Sequence, residues 1–394
     1  MKKILFVNGS FNEIPLIEVA HKKGLYVITS GNDPTGEGHQ YSDSYIAGDY
    51  SNAEVILKIA KDNHIDYICS CGNDFGAITA SYVADRLGLP GHDSLEVSKY
   101  FHEKDQFKRL CARLHLNTPQ SVPFVDKDKA ISYLKEASFP LIIKPSDLGG
   151  GKGIEVVNTF VEGVNAIEAA FKASKIKTVL IEDYIVGTQH GFTCFIKNKK
   201  VAFTYYTDDY SYLNPYMVWV AIPHDENKDL DIINKIKQDV ELMAETLSMS
   251  DGMLTIQVIV KDGVPYYIET MRRCLGNMHY KCLSWDLGFD VYNLFVTAEM
   301  GEDTSSILNT HHSLQHYSAF MGVYADKNGV YQSLTINEKY QKNVKEIKML
   351  EEKGYVISDY LREKIGMVFF SFDSEEEKNA FVKDLRKILK VVVA

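Results

Sequence analysis

Residues 142–157, IIKPSDLGGGKGIEVV, set the strictest local condition on the fold of this chain. Four glycines fall between positions 149 and 153, and β-branched apolar runs lie on both sides of them. A phosphate-binding P-loop also combines glycines with a lysine, but its lysine is followed by Ser or Thr and opens a helix. Lys152 is instead followed by Gly153 and then by a segment of strand character. The stretch therefore predicts a β-hairpin whose tip is a glycine-rich, lysine-bearing loop.

Size and charge limit the classes of protein that need consideration. A chain of 394 residues exceeds one hydrophobic core, so two or three domains are expected. The formal net charge of -10 argues against a nucleic-acid partner, although a local basic site could still bind a nucleotide. No stretch approaches the roughly 20 apolar residues of a membrane span, and the apolar run at the N-terminus is too short for a secretory signal. We therefore expect a cytoplasmic protein with no membrane partner.

The first 90 residues alternate between strand and helix patterns. Strands are expected near 4–8, 26–32 and 66–73, and helices near 13–24, 51–63 and 75–88, the second helix opening with a Ser51/Glu54 capping box. This alternation predicts a parallel sheet covered on both faces. The segments Gly9-Ser10 and Gly72-Asn73-Asp74 follow strand ends, where either ligand contacts or ordinary turns are possible. A GxGxxG dinucleotide fingerprint is missing after the first strand.

Strands of antiparallel character follow residue 117, after a helix expected at 103–116. A second long helix is expected at 229–247, and the segment 374–390 reads as a capped amphipathic helix. Two strands at 254–260 and 264–270 are joined by Lys261-Asp262-Gly263, which predicts a hairpin. Gln257 and Glu269 lie almost symmetrically about this turn, so their side chains are expected on one face. The six cysteines lack paired spacing and read as reduced, buried thiols.

The order of these elements resembles the ATP-grasp superfamily, in particular its carbamoyl phosphate synthetase and biotin carboxylase branch. The resemblance covers about three quarters of the chain and is carried by residues 66–91, 145–157, 179–192 and 251–276. It implies a mixed α/β and α+β fold in three parts. A parallel α/β pre-ATP-grasp domain (1–98) precedes a two-subdomain ATP-grasp domain (99–303), whose glycine flap subdomain spans about 120–200. A small C-terminal α+β region (304–394) completes the chain.

The resemblance also implies an ATP site. Lys104 and Lys144 would contact the phosphates, the glycine loop would close over them, and the strand that begins at Glu182 would hold the adenine edge. Gln189 stands where relatives carry a ribose-binding Glu, and Asn214 lies in a loop that often supplies a polar contact. The residues expected to bind ATP are Lys104, Lys144, Gly149, Gly150, Gly151, Lys152, Gly153, Glu182, Asp183, Tyr184, Ile185, Gln189 and Asn214.

The metal and catalytic residues implied by the resemblance lie on the second hairpin. Gln257 and Glu269 would hold Mg²⁺ or Mn²⁺ through hard oxygen ligands. Relatives usually continue with Glu-x-Asn, but here the third position is Met271, whose thioether is a poor ligand for a hard cation, so the number of metals stays open. Arg273 falls where relatives neutralise an acyl phosphate. Arg272 reads as either a second substrate contact or a surface charge, and residues 279–281 (His279, Tyr280 and Lys281) are candidates for the substrate pocket.

The implied activity is that of an ATP-dependent ligase. The enzyme would phosphorylate a small-molecule carboxylate to an acyl phosphate and join it to an amine, releasing ADP and phosphate, with Glu269 and Arg273 as catalytic residues. One alternative is a carboxylase-type enzyme that activates bicarbonate. Another is a non-catalytic ATP-binding regulatory protein, which Met271 and the neutral Gln257 bring into consideration. Homodimers are frequent among similar enzymes, and a homodimer is a further expectation.

Overall fold

The computed structural model describes residues 1–148, 151–309, 314 and 316–394. The strands, in chain order, are β1 (Lys3–Val7), β2 (Tyr26–Gly31), β3 (Ser44–Ala47), β4 (Tyr67–Cys69), β5 (Ser121–Phe124), β6 (Leu141–Pro145), β7 (Glu155–Val157), β8 (Val179–Asp183), β9 (Thr188–Lys197), β10 (Lys200–Tyr210), β11 (Val220–Pro223), β12 (Gly252–Lys261), β13 (Val264–Met271), β14 (Tyr317–Val323), β15 (Gly329–Ile336), β16 (Val344–Met349), β17 (Val356–Ile357), β18 (Gly366–Phe372) and β19 (Leu389–Val393).

The α-helices, in chain order, are α1 (Ile14–Lys22), α2 (Ala53–Asn63), α3 (Asp74–Leu87), α4 (Leu95–His102), α5 (Lys104–Arg113), α6 (Lys127–Tyr133), α7 (Phe160–Ala173), α8 (Leu230–Leu247), α9 (Tyr280–Leu287), α10 (Val291–Glu299), α11 (Ser305–Leu308), α12 (Glu338–Gln341) and α13 (Glu375–Lys383). Among the helices built from described residues, none meets both the length and the hydropathy that a membrane-spanning helix requires. All six cysteines lie in the described part, where each is free and buried, as predicted.

The N-terminal sheet is parallel throughout, as predicted. Its strand order is β3-β2-β1-β4, and each neighbouring pair runs in the same direction. The buried strand residues Leu5, Val7 and Ile28 pack with apolar side chains of α2 and α3. The edge strand β3 was not predicted; it has only four residues, Ser44–Ala47, and none of them is fully buried. The carboxyl ends of β1 and β4 are adjacent, so the loops that follow them meet at one edge of the sheet.

The glycine-rich stretch caps an antiparallel hairpin, which confirms the prediction. β6 pairs with β7, and the sheet order is β5-β8-β6-β7. Apolar residues of β6 and β8, including Ile143 and Ile181, form a core with α6 and α7. The β6–β7 hairpin is therefore anchored by helices that pack on its sheet.

A third set of strands carries the second predicted hairpin. β13, β12, β9 and β10 are neighbours in that order, and β12 runs antiparallel to both β9 and β13. One face of these strands packs against α5 and α8 through side chains such as Phe192, Ile256 and Tyr267. The opposite face carries polar side chains such as Thr193 and Thr255 together with buried apolar ones such as Phe195 and Met253. The predicted fold class, a parallel α/β sheet followed by α+β elements, is confirmed.

The chain separates into two compact units. The first contains Met1–Tyr206, Glu226–Met278 and Tyr292–Leu308, and the second contains Thr207–Asp225, His279–Val291 and Asn309–Ala394. In the second unit, residues 207–210 of β10 pair with β11, and the order continues through β14, β18 and β16. A smaller antiparallel sheet has the order β17-β15-β19. The core of this unit contains Trp219, Phe370 and Phe381. The boundaries of the three predicted domains stay a prediction.

Three local predictions were wrong in detail. α2 is capped by Asn52, whose side chain accepts from the amide of Val55, while Ser51 bonds to Asp49 instead of forming a capping box with Glu54. The turn between β12 and β13 has two residues, Asp262 and Gly263, because Lys261 already pairs with Val264. In the last segment the α-helix ends at Lys383, and the chain then enters β19.

Candidate active site

Lys104 opens α5, and its buried ammonium group contacts two distant segments of the first unit. Nζ donates to Oε1 of Glu269 at 2.9 Å and to the carbonyl oxygen of Leu148 at 2.8 Å. Burial lowers the pKa of Lys104, but the Glu269 carboxylate outweighs that effect and the pKa lies above its ordinary value. Leu148 directly precedes the glycine run. One cation therefore joins the base of the glycine hairpin to the predicted metal-binding acid.

Lys144, the residue before the end of β6, forms a buried ion pair with Glu182 of β8. Nζ lies 2.7 Å from Oε2 of Glu182, and the two side chains are only 4% and 1% exposed. Lys108, one turn after Lys104 on α5, approaches the same oxygen at 3.8 Å. It also donates to the carbonyl oxygen of Tyr267 at 3.1 Å. Two lysines thus surround a single buried carboxylate.

The charge states of this group follow from burial and from its neighbours. Burial raises the pKa of Glu182, yet Lys108 and Lys144 together hold it below its ordinary value. Burial lowers the pKa of Lys108 to about 8, and Glu182 offsets only part of that effect. Oε1 of Glu182 has no hydrogen-bond partner among the described residues, and the Ser121 hydroxyl lies near without forming a bond of ordinary geometry. This buried oxygen is therefore an acceptor that the described residues leave without a hydrogen bond.

The hairpin of β12 and β13 brings Gln257 and Glu269 directly opposite each other. Tyr267 pairs with Val258, but Glu269 pairs with Gln257, so Ile268 is the extra residue of a β-bulge. Val258 and Tyr267 face the core against α8. Because side chains alternate along a strand, Gln257 points to the face opposite Val258, and Glu269, its direct cross-strand partner, points to that same face. The predicted juxtaposition of these two side chains is confirmed, and the bulge is what aligns them.

The oxygen donors of this hairpin suit a divalent metal. Oε1 of Glu269 is bonded to Lys104, while within the described residues Oε2 and the Gln257 side chain form no hydrogen bond. A carboxylate and an amide oxygen are ligands that Mg²⁺ accepts. Met271 lies two residues beyond Glu269 on the same face and pairs with Thr255. Its soft sulfur adds no suitable ligand, so the donor set fits one metal better than two.

Arg273 lies just past the end of β13 and is held by a carboxylate of the N-terminal sheet region. Nε donates to Oδ1 of Asp74 at 2.7 Å, and Nη2 donates to Oδ2 at 3.2 Å. Burial opposes the charge of Arg273, but Asp74 and, more weakly, Glu269 raise its pKa. The predicted catalytic arginine is thus buried and fixed by a two-point ion pair. Its role toward a substrate stays a prediction.

Arg272 is not a surface charge, which was one of the two possibilities that the sequence left open, and a substrate contact stays a prediction. Its Nε donates to Oδ2 of Asp93 at 2.8 Å, and its Nη atoms donate to the carbonyl oxygens of Met253 and Ser250 at 2.8 and 2.6 Å. The side chain is 8% exposed. Arg272 is a structural residue that ties the end of β13 to the segment after α3. The sequence alone could not show that Arg272 pairs with Asp93, which lies far away in the chain.

The glycine loop is anchored at its start. The Ser146 hydroxyl donates to Asp105 at 2.9 Å, and Asp147 accepts from the Ser174 hydroxyl and from the Lys175 amide at 2.7 and 2.8 Å. Gly149 and Gly150 lie outside the described residues. Gly151 and Gly153 have left-handed backbones, with φ of 72° and 70°, and a Cβ on Gly153 would lie 2.9 Å from Cγ of Pro145. Lys152 between them is exposed.

The predicted adenine segment leaves β8 at Asp183. The amide of Asp183 donates to Gln120, and that of Tyr184 to Pro140. The side chains of Asp183, Tyr184 and Gln189 are exposed, and Ile185 is half-buried. These positions give an accessible strand end next to the buried Lys144–Glu182 pair. Their contacts to a nucleotide stay predictions.

Several predicted residues belong to the second unit. Asn214 accepts from the amide of Tyr216 at 3.0 Å and lines a small apolar pocket with Trp219 and Tyr324. Lys281 forms an ion pair with Glu346, and Tyr280 is fully buried in the core. The His279 ring packs on Phe320 at 4.3 Å between centroids, and burial lowers its pKa to about 3. The structure brings together the site residues of the first unit, and the roles of Asn214 and His279 stay predictions.

The loops after β1 and β4 are joined by Glu13, a buried acid. Its carboxylate accepts from the amide and hydroxyl of Ser10, at 2.8 and 2.6 Å, and from the amide of Gly72 at 3.1 Å. Ser10 and Glu13 form a capping box on the short 3-10 helix Phe11–Glu13. At Gly9-Ser10 and Gly72 the observed contacts are therefore those of turns and caps. Asp74 differs, because its carboxylate reaches Arg273.

Lys108 is the polar residue of the site that the sequence analysis missed. It lies four positions after Lys104, and residues at this spacing share one face of a helix. The buried face of α5 therefore carries two lysines, Lys104 and Lys108, beside Phe107 and Cys111, which is unusual for a face that packs into a core. That pattern was visible in the sequence and would have indicated a second buried cation.

Part of the chain matches a known protein family. Residues 102–214 match the family of the phosphoribosylglycinamide synthetase, ATP-grasp (A) domain. A carbamoyl phosphate synthase large chain from Clostridium perfringens (strain SM101 / Type A) is 21% identical over 313 residues, which cover 75% of this chain and 28% of the relative. The chain thus spans less than a third of the length of this curated relative.

Solved structures extend the likeness of fold to the whole chain. An L-amino acid ligase from Bacillus licheniformis superimposes with a TM-score of 0.83 at 17% identity, covering 100% of this chain and 99% of the other. The biotin carboxylase domain of the 2-oxoglutarate carboxylase of Hydrogenobacter thermophilus, in complex with MgADP, ADP and bicarbonate, gives a TM-score of 0.76 at 18% identity, covering 100% of this chain and 91% of the other. The family match over residues 102–214 and the shared fold agree with the resemblance drawn from the sequence.

Proposed function

We propose that the chain is an ATP-dependent ligase that activates a substrate carboxylate as an acyl phosphate and joins it to an amine. The observation that supports this most directly is the position of Lys104. Its ammonium group contacts both the base of the glycine hairpin and Glu269, which faces Gln257. Phosphoryl transfer depends on cations and a metal placed around the phosphates, with little covalent participation by the protein. The first unit holds such residues in one cluster.

Each residue of the cluster has a definite task in this proposal. Lys104 and Lys144 hold phosphate oxygens, and the ionised Oε1 of Glu182 accepts a hydrogen bond from the nucleotide. Gln257 and Glu269 would hold Mg²⁺, which neutralises phosphate charge when it is bound. The glycine loop excludes water, because its backbone can approach the phosphates without Cβ clashes.

The reaction balances without a protein nucleophile. An oxygen of the substrate carboxylate attacks the γ-phosphorus of ATP, the bond from that phosphorus to the bridging oxygen breaks, and ADP leaves. The amine then attacks the acyl carbon, loses a proton and expels phosphate. Arg273 stabilises the oxyanion that develops in these steps, because its planar fork suits that charge. All six cysteines are buried, which suits a scheme that uses no thiol.

A labelled carboxylate tests the order of the steps. With ¹⁸O in the substrate carboxylate, one labelled oxygen should appear in the released phosphate. The substrates themselves can be found by measuring phosphate release with ATP, Mg²⁺ and pairs of acids and amines, with Glu269→Ala as the blank. Phosphate that carries no label, from an acid and amine pair that does form an amide, rejects the acyl-phosphate route.

The bicarbonate alternative is supported by the solved structure of a biotin carboxylase domain that contains bicarbonate. In that case phosphate release would depend on bicarbonate and would not require an added carboxylic acid. A regulatory ATP-binding role is favoured by the neutral Gln257 and by Met271. ATP binding without turnover across the whole panel of acids, amines and bicarbonate would support that role.

A further inference from the structure

We propose that Asp74 is a positioning residue that fixes the orientation of the Arg273 guanidinium, and that His102 holds Asp74 in place. The proposal rests on the role given above to Arg273. It adds two residues to that role, neither of which contacts the reacting atoms in the scheme. Asp74 opens α3 after the parallel strand β4, whereas Arg273 follows β13, and the two are 199 residues apart in the chain.

The ion pair restrains the guanidinium at two points. Nε and Nη2 of Arg273 each donate to a different oxygen of Asp74, at 2.7 and 3.2 Å. Nη1 donates to the carbonyl oxygen of Cys274 at 3.0 Å. Two parallel bonds to one carboxylate fix the plane of a guanidinium, which a single contact does not. The direction in which the arginine presents its charge is therefore set by Asp74.

An external restraint is needed because the backbone at Arg273 has no regular structure. β13 ends at Met271, and the following residues Asn277 and Met278 have left-handed backbones with φ of 61° and 54°. Asp74, in contrast, belongs to the first turn of a 14-residue helix capped by Asn73. A carboxylate at a helix N-terminus is also favoured by the helix dipole. The rigid partner of the pair is thus the acid.

His102 completes the arrangement from the end of α4. Its Nδ1 lies 3.0 Å from Oδ1 of Asp74, and its side chain is fully buried. A carboxylate only accepts hydrogen bonds, so Nδ1 must carry a proton and donate it. Nε2 is buried without a hydrogen-bond partner among the described residues. A buried imidazole that makes a single hydrogen bond, directed at Asp74, serves to hold that acid.

The neighbouring arginine supplies a matched control. Arg272 also pairs with a buried aspartate through Nε, with 2.8 Å to Asp93, but its Nη atoms bind backbone carbonyls. Asp93 additionally accepts from the amide of Ser250 at 2.6 Å. Asp93→Asn therefore disturbs a buried Arg–Asp pair of similar chemistry outside the proposed machinery. It should reduce stability without affecting catalysis.

The first measurement is independent of turnover. The chain has seven arginines, so the Nε–Hε signals of ¹⁵N-arginine-labelled protein can be assigned by single substitutions. In the wild-type chain the Arg273 Hε should exchange slowly with solvent. Asp74→Asn should abolish that protection while the Arg272 signal persists, and Asp93→Asn should do the reverse. Unchanged protection of Arg273 in Asp74→Asn overturns the proposal.

The second measurement separates positioning from structure. With an acid and amine pair found by the phosphate-release screen, Asp74→Asn should lower kcat roughly 100-fold at an unchanged Kd for ATP. Asp74→Glu, which keeps the charge, should recover part of kcat, and His102→Gln should give a smaller loss than Asp74→Asn. Loss of Arg273 protection without loss of kcat also overturns the proposal.

If the wild-type chain binds ATP but turns over no pair of acid and amine, the ligase function fails, and the positioning role in catalysis fails with it. The exchange measurement still decides whether Asp74 orders Arg273.

Discussion

Nζ of Lys104 lies 2.9 Å from Oε1 of Glu269, and the same nitrogen lies 2.8 Å from the carbonyl oxygen of Leu148. The lysine begins a helix, the acid lies on a strand beyond a β-bulge, and the carbonyl precedes the glycine run. Because one cation donates to both oxygens, Oε2 of the acid keeps all of its acceptor capacity for a metal. The glycine loop, the predicted phosphate lysine and the predicted metal ligand are therefore linked before any nucleotide binds.

Replacing Glu269 by Gln should abolish metal-dependent catalysis. The amide keeps the size of the side chain but removes the one ionised oxygen opposite Gln257, so we expect a loss of roughly 100-fold or more in phosphate release. Binding of Mn²⁺ to the complex with a non-hydrolysable ATP analogue, followed by electron paramagnetic resonance, gives a readout independent of turnover. The control is Glu245→Gln, which removes a half-exposed acid paired with Lys200. Equal Mn²⁺ affinity in Glu269→Gln and in the wild-type chain would exclude Glu269 as the anchor.

Replacing Lys144 by Met should destabilise the first unit. The Glu182 carboxylate, 1% exposed, would then keep only Lys108 at 3.8 Å, and losing one partner of a buried pair costs roughly 3 kcal/mol. Lys144→Met with Glu182→Leu should be more stable than Lys144→Met alone, because the uncompensated charge is removed. Urea denaturation followed by circular dichroism measures both. A double variant that is no more stable than the single one would show that the pair is not the source of the effect.

The contribution of Lys108 to the free energy of unfolding should depend on pH in a defined window. Its pKa is about 8 in the folded chain, below the ordinary 10.5, because burial disfavours the charge. Between about pH 8 and 10.5 the unfolded chain binds more protons at this residue, so the free energy of unfolding rises with pH there. Below about pH 8 both states are protonated and the cost of burying the charge is fully present.

The measurement compares the wild-type chain with Lys108→Met. The difference in their free energies of unfolding, taken from urea denaturation between about pH 7 and pH 10, should shift in favour of the wild-type chain as pH increases. Glu182 and Lys144, the charged neighbours of Lys108, are present in both chains. A difference that stays flat across the window would mean that Lys108 titrates normally in the folded chain.

Short-range sequence patterns were sufficient for most of the secondary structure. The glycine stretch between two β-branched runs gave the β6–β7 hairpin, and the Asp262-Gly263 turn gave the β12–β13 hairpin with Gln257 and Glu269 facing each other. Errors occurred where two residues compete for one role. Asn52 caps α2 in place of Ser51, because the Ser51 hydroxyl bonds to Asp49 instead. Periodicity alone does not resolve such competition.

Partners between distant segments could not be read from the sequence. The carboxylates that hold Arg272 and Arg273 come from Asp93 and Asp74, which lie 179 and 199 residues earlier, and only the packing of the chain assigns them. The structural role of Arg272 was missed for that reason. Lys108 was missed for a different reason. Its spacing from Lys104 was visible in the sequence, but lysines are rarely buried, so the pattern did not predict a buried cation.

Replacing Gly153 by Ala should weaken the glycine loop in a way that a second glycine can control. Gly153 and Gly263 both have left-handed backbones, with φ of 70° and 75°. A Cβ on Gly153 would press on Pro145 at 2.9 Å, whereas a Cβ on Gly263 meets nothing within 4 Å. Each substitution should cost about 1 kcal/mol of stability from the backbone conformation alone. Only Gly153→Ala should also raise the KM for ATP, because only that position lies in the loop proposed to cover the phosphates.

The KM for ATP in the phosphate-release assay and urea denaturation of both variants separate the two effects. If Gly263→Ala raised the KM for ATP as much as Gly153→Ala, the loss would reflect general destabilisation, and the proposed role of the loop would be wrong.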